Sequence, residues 1–262
     1  MVAIYNYKQI HLNNYVAILL LILIMRITKT LTRELLLTVI VVAFFVGCNT
    51  LRPVANTNNT LNGHEYVDLG LPSGTLWAAC NVGAKNPEDY GQYFAWGETE
   101  PKKYYNEENY KYMKGKPGRY TKYCYKPEHG YNGFSDKLTT LEAVDDVAAV
   151  KWGSGWRMPT KEESAELLKY TTKKVETVHK VKGMRLIGPN GNSIFLPAAG
   201  NIVDGKLLHD GNDCVFWTSS LNKVISTAWV FYCSCKSNSW DTFDMNFRNV
   251  GKSVRPVCST KK

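Results

Sequence analysis

Two apolar runs near the start constrain this chain more than any other feature. Residues 15–25 and 35–47 are almost unbroken apolar stretches. Each falls short of the roughly 18–20 residues that cross a bilayer core. Each has the length of a signal-peptide apolar region. No comparable run follows, so a multi-span membrane protein is not expected. With 44% apolar and 21% charged residues, 20 Gly and 10 Pro, the composition is far from that of a disordered, collagenous or coiled-coil chain.

The balance of 32 Lys and Arg against 23 Asp and Glu gives +9. Several of the basic residues (Lys8, Arg26, Lys29, Arg33) belong to the first 47 positions. The others are scattered, with no dense stripe and no aromatic–basic ladder, so a nucleic-acid partner is not expected.

Arg26, Lys29 and Arg33 form a basic flank before the second apolar run, and Gly47-Cys48 ends it. Phe45-Val46-Gly47-Cys48 resembles the lipobox of bacterial lipoproteins, with Phe in place of the usual Leu. In that family the cysteine thiol receives a diacylglycerol and its amine, freed by cleavage, is usually acylated. Several chains anchor firmly because each buried methylene adds about 0.8 kcal/mol. The resemblance implies lipidation at Cys48 and a place in the bacterial cell envelope, at the outer membrane. Met25 stands just before the basic flank, and the expectation is that it is the true start. A two-helix N-terminus is the rival reading. Residues 1–47 are thus read as a leader, 48–62 as a polar Asn- and Thr-rich tether, and 63–262 as one domain.

Besides Cys48 there are Cys80, Cys124, Cys214, Cys233, Cys235 and Cys258. An exported chain permits disulfides, and six thiols allow 15 pairings, among which the sequence does not choose. Cys233 and Cys235 face the same side if they lie on a strand. No second CxxC or HxxxH accompanies them, so no metal site is expected.

Strands are expected at 64–69 and 75–80 around the Leu71-Pro-Ser-Gly74 turn, and at 92–96. Residues 99–136, rich in Tyr, Lys, Gly and Pro, read as a long, partly ordered surface excursion. Two helices should follow. Thr139-Thr-Leu-Glu142 has capping-box spacing, with Leu141, Val144 and Ala148 at i, i+3 and i+7. Thr160-Lys-Glu-Glu163 repeats the box, and Pro159 marks its boundary. Asp145-Asp146 read as a solvated helix face. Further strands are expected at 184–187, 194–196, 215–219, 227–235, 242–247 and 252–257. Asn190-Gly191 and Asp204-Gly205 mark turns. Helices amid strands give an α+β class.

Five motifs occur in order: Tyr66 to Ala84, Tyr90 to Glu98, Trp156-Arg-Met-Pro-Thr-Lys-Glu-Glu163, Trp217-Thr-Ser-Ser220 and Gly251-Lys-Ser-Val-Arg-Pro-Val257. Together they resemble the Fibrobacter succinogenes major paralogous domain family, over about residues 63–258. That family occurs in exported and lipid-anchored bacterial proteins. It is similar in turn to C-type-lectin-like and formylglycine-generating-enzyme-like folds. The resemblance implies a C-type-lectin-like α+β domain, a twisted antiparallel sheet with two main helices. It leaves activity open, since the fold hosts unrelated functions.

Trp77, Trp96, Trp156 and Trp217 are expected to fill the core. Arg157 and Arg255 are expected to satisfy loop carbonyls, and Pro159 to set a helix boundary. Calcium-binding lectins of this fold use triplets that Gly188-Pro-Asn190 and Ser239-Trp-Asp241 match incompletely. The enzymes of the fold use a cysteine pair spaced more widely than Cys233 and Cys235. No nucleophile elbow, spaced His pair or facing acid pair is present. The reading is therefore non-enzymatic, without cofactor or metal.

Residues 229–248 mix aromatic and short polar side chains, a blend suited to adaptable recognition. Tyr232, Trp240, Asp241, Asp244 and Asn246 are the candidate contacts for a glycan or protein ligand. The alternatives are a structural or assembly component of a surface complex, and a target of diversity-generating retroelements.

Overall fold

Short antiparallel strands, joined by turns in which the backbone often takes positive φ, build most of the domain. The computed structural model describes residues 59–223, 227–241 and 245–259, with Asp241, Met245 and Asn246 described by backbone alone. The leader, Cys48, most of the tether and Asp244 lie outside the described residues.

Down the chain come β1 (Thr60–Leu61), β2 (His64–Asp68), β3 (Leu76–Ala78), α1 (Val147–Trp152), β4 (Trp156–Arg157) and α2 (Lys161–Tyr170). Next are β5 (Thr172–Val178), β6 (Val181–Ile187), β7 (Ser193–Pro197), β8 (Asn201–Val203) and β9 (Lys206–Leu208). The last are β10 (Asp213–Leu221), β11 (Ala228–Ser234), β12 (Ser239–Asp241), β13 (Met245–Asn246), β14 (Gly251–Lys252) and β15 (Val257–Cys258). The strands form four antiparallel groups: β1-β2-β3-β15-β4, β5-β6-β7, β14-β8-β9, and β10-β11-β12 with β13 also on β11. The class is α+β, mostly antiparallel with two helices.

Local signals account for several elements. In the β8–β9 hairpin Asp204 (φ 48°) and Gly205 (φ 75°) both take the left-handed conformation that a two-residue turn of this kind requires. α2 starts at the expected capping box, with Thr160 Oγ1 accepting from Glu163 N at 3.2 Å and Glu163 Oε2 accepting from Thr160 N at 2.8 Å.

Other expectations are corrected. No helix starts at Thr139: Thr140 bridges to Ser220, and Leu141 N donates to Ser219 O at 3.0 Å. A 3-10 turn at Ala143–Asp145 intervenes, and α1 starts only at Val147. Its cap is Asp146, whose carboxylate accepts from Ala148 N (2.9 Å), Ala149 N (3.2 Å) and Met158 N (2.8 Å). Asp145 and Asp146 are both buried rather than a solvated face. At 92–96 there is no strand among the described residues, but a bridge from Phe94 to Lys252. β5 was not expected at all, because its Lys- and Thr-rich sequence lacks a long apolar pattern, yet it pairs with β6 along its full length.

The largest correction concerns residues 99–136. Tyr105, Tyr110, Tyr112, Tyr120, Tyr123 and Cys124 from this stretch are buried in the main core, with Trp96, Trp152, Trp156 and Trp217. The segment is a core wall with little regular structure. A second core gathers Trp77, Leu167, Leu168, Phe216 and Phe231 between α2 and the β10–β11 sheet. Residues 58–262 make one compact unit.

The four motif tryptophans are buried as expected. Three find acceptors for their indole N–H: Trp96 on Thr218 O (2.8 Å), Trp217 on Phe94 O (2.8 Å) and Trp156 on Leu61 O (2.9 Å). Arg255 is fully buried and serves Asn81 Oδ1, Ala78 O, Ala79 O and Phe195 O. It ties three separate chain segments together. Burial pulls its guanidinium down to about 10. Arg157 stays at the surface, giving one bond to Met158 O at 3.2 Å and a fork to both Glu163 oxygens. Pro159 lies just before the α2 cap, and its carbonyl accepts from Ser219 N at 2.8 Å.

Candidate functional site

Strand alternation decides which aromatic side chains of residues 229–248 can act together. On β11, Phe231 and Cys233 point into the second core, while Ala228 and Val230 point into the main core and Tyr232 packs against it. With a period of two, Trp229 shares the α2-facing side with Phe231 and Cys233. Register places Trp240 opposite Cys233 and Asp241 opposite Tyr232. Directly opposed residues share a face, so Trp240 lies on the α2 side and Tyr232 on the reverse.

The structure thus separates two of the expected contacts. The Tyr232 hydroxyl donates to Asp213 Oδ1 at 3.0 Å and is tied into the sheet. Asp241 and Asn246 are placed by backbone alone, opposite Tyr232 and Ala228 respectively. Asp244 is outside the described residues. Trp240 is 43% exposed. Its ring lies 4.8 Å from Lys173 Nζ, which also donates to Thr171 O (2.7 Å) and Leu168 O, at the end of α2.

The α2 side carries a second tryptophan that the sequence reading did not single out. Lys161 Nζ lies 3.8 Å over the Trp229 ring. α2 therefore begins with a cation over Trp229, and β5, which follows it, carries a second over Trp240. Lys161 is the first residue of α2 and Lys173 the second of β5, so the cap at Thr160 positions Lys161. Lys161 N itself donates to Ser220 Oγ at 3.1 Å, which fixes that end against β10.

Around Trp229 opens a groove of about 390 Å³, lined by Thr139, Thr140, Lys161, Glu162, Asn222 and Lys223. At its side Asn222 N donates to Thr227 O at 2.8 Å. An aromatic ring with an ammonium over it, in a groove lined by hydroxyls, an amide and a carboxylate, is the ordinary makeup of a polar-ligand site. Trp229 could have been found by alternation, since it is apolar, in register with the core face, and next to the strand's open end.

A larger cavity of about 710 Å³ lies beside it under the Trp156–Met158 motif, sharing Thr140 as a wall. Its charged groups are already engaged. Asp146 caps α1, and burial raises its carboxyl against the lowering of three N–H bonds. Arg157 grips Glu163, and that fork raises its own pKa. Such groups hold the motif loop in place rather than await a ligand.

Among the described residues, no group of three or more His, Cys, Asp or Glu is arranged to hold a metal ion. Comparison with family models, curated proteins and solved structures finds no match to this chain.

Proposed function

We propose that this chain is a lipid-anchored bacterial envelope protein, held at the outer membrane through Cys48, whose C-type-lectin-like domain binds a glycan without transforming it. The observation that carries the reading is the Trp229 groove, an indole ringed by short hydroxyl, amide and charged side chains. A sugar presents C–H groups to the negative face of an aromatic ring and hydroxyls to the polar rim. To stack there it must move the Lys161 ammonium aside, which costs about 0.5–1 kcal/mol at an exposed site. The displaced ammonium then becomes a donor to the bound sugar. Trp240, on the same side of the sheet, is the second proposed contact. Tyr232, on the reverse face and bonded to Asp213, stands outside this contact set.

The anchoring reading rests on the basic flank, the apolar run and Cys48. The lectin-like reading rests on the five ordered motifs together with the α+β class.

Two experiments test the proposal. In bacteria fed a fatty-acid probe, the wild-type chain should take up label in the envelope fraction and Cys48→Ala should not; equal labelling of both would sink the anchor. The purified full chain in detergent should bind a subset of a glycan array, and Trp229→Ala should lose that subset. An array without hits, together with a co-purifying envelope protein, would favour the assembly role instead.

A further inference from the structure

Three cysteines meet where β10 and β11 run together. Cys214 on β10 is in register with Cys233 on β11, and Cys235 follows two residues later. All three are buried. The sulfur atoms in contact are those of Cys214 and Cys235, at 3.7 Å. The backbone holds this pair, because Cys235 N donates to Asn212 O at 2.7 Å and continues the β10–β11 ladder by one step. A disulfide needs the sulfurs to close from 3.7 Å to about 2.05 Å.

We propose that Cys214 and Cys235 form a native disulfide on exposure to a thiol–disulfide oxidant, while Cys233 stays a thiol. The link would fasten the two strands at the point where the β11–β12 turn leaves the sheet. Trp240 lies five residues beyond Cys235, on the strand that this turn delivers. Pinning the turn's base would hold Trp240 at a fixed height over the α2 end, so the inference deepens the binding reading.

The order of attack follows from the surroundings. Cys235 is the more accessible of the two, at 6% exposure against 0% for Cys214. Its thiol is lowered by the hydrogen bond from Cys214, against the opposing effect of burial, with Lys182 adding to the lowering. Burial pushes the Cys214 thiol well up. Cys235, as thiolate, attacks one sulfur of an oxidised disulfide such as oxidised glutathione and forms a mixed disulfide. One reduced thiol leaves. Cys214 then loses its proton and displaces the second reduced thiol. In sum, two cysteine thiols and one oxidised glutathione give one protein disulfide and two reduced glutathiones.

In the cell this step needs oxidising surroundings, which the proposed envelope location supplies. The test is made on purified protein, so it can fail or succeed independently of the location. The reduced full chain in detergent is incubated with oxidised glutathione, alkylated and mapped by peptide mass spectrometry. The expected result is loss of two thiols per chain, a cross-linked pair carrying Cys214 and Cys235, and alkylated Cys233. The oxidised chain should melt roughly 5–10 °C above the reduced one. Cys233→Ala should keep the link, and Cys235→Ser, which alters only the near-surface partner, should abolish it even if Cys214→Ser fails to fold. A link that includes Cys233, a glutathione adduct at Cys235 that goes no further, three alkylated thiols, or a lower melting point after oxidation would each overturn the proposal.

Discussion

Two buried charges organise the main core. Arg248 is fully buried, with its guanidinium 3.5 Å from the Tyr120 ring centre and about as close to Trp96 as to Tyr110. It also donates to Tyr123 O at 2.9 Å. A planar cation can stack and donate at once, which an ammonium cannot. Arg248→Lys is therefore expected to lose about 2 kcal/mol, and Arg248→Ala more, read from the urea midpoint at constant m-value. Asp145 is the complementary charge. Its carboxylate accepts from Tyr112, from Tyr123 (2.8 Å), from Lys122 (2.6 Å) and from Lys111 (3.0 Å). Burial alone would raise this carboxyl, but the bonds outweigh it and hold it well below the usual range. A depressed folded-state pKa adds stability above the unfolded value of about 4, lost as pH falls below it. The chain should keep its stability from neutral pH down to about 4 and lose it steeply below. Asp145→Asn should cost about 3 kcal/mol at neutral pH and flatten that acid limb, measured by denaturant midpoints across the pH series. An unchanged limb would show that another carboxyl governs it.

At the scale of elements, the informative contrast lies between two sequences of the same form. Thr160-Lys-Glu-Glu163 caps α2, and Thr139-Thr-Leu-Glu142 caps nothing. Both offer the same local bonds. The difference is tertiary: Thr140 and Leu141 find partners on β10, at Ser220 and Ser219, and that pairing overrides the local preference. Thr160→Ala should cost about 1 kcal/mol and, because Lys161 follows directly, should also weaken ligand binding at Trp229 in a titration. Stability loss with unchanged binding would detach the helix end from the groove. The α2 box, the Asp204-Gly205 hairpin and the tryptophan core were legible because each is decided within a few residues or by side-chain size. The tyrosine wall was not. Tyr110, Tyr120 and Tyr123 follow no helical or strand period, and they are buried by Arg248, more than a hundred residues later. The candidate contacts were legible as a stretch but not as a surface, because assigning Tyr232 and Trp240 to opposite faces requires the β11–β12 register.

Over the whole molecule, the last strand closes the fold. β15 lies between β3 and β4, with Val257 opposite both Trp77 and Arg157, and Arg255 just before it binds two other segments, at residues 78–81 and at Phe195. A chain ending at residue 250 should lose cooperative unfolding altogether, as seen by near-ultraviolet circular dichroism; a cooperative transition in that fragment would show that closure is not needed. The architecture thus buries Trp77, Trp96, Trp156, Trp217, Arg248 and Arg255 and leaves Trp240 exposed and Trp229 half-buried on the α2-facing side. The most direct test of recognition there is calorimetric titration of the best array glycan into wild type, Trp229→Ala and Tyr232→Phe. The account predicts at least about a tenfold loss of affinity for Trp229→Ala, from the roughly 1.5–3 kcal/mol carried by a well-placed aromatic contact, and less than about twofold for Tyr232→Phe. Equal affinities for wild type and Trp229→Ala, or a loss confined to Tyr232→Phe, would contradict it.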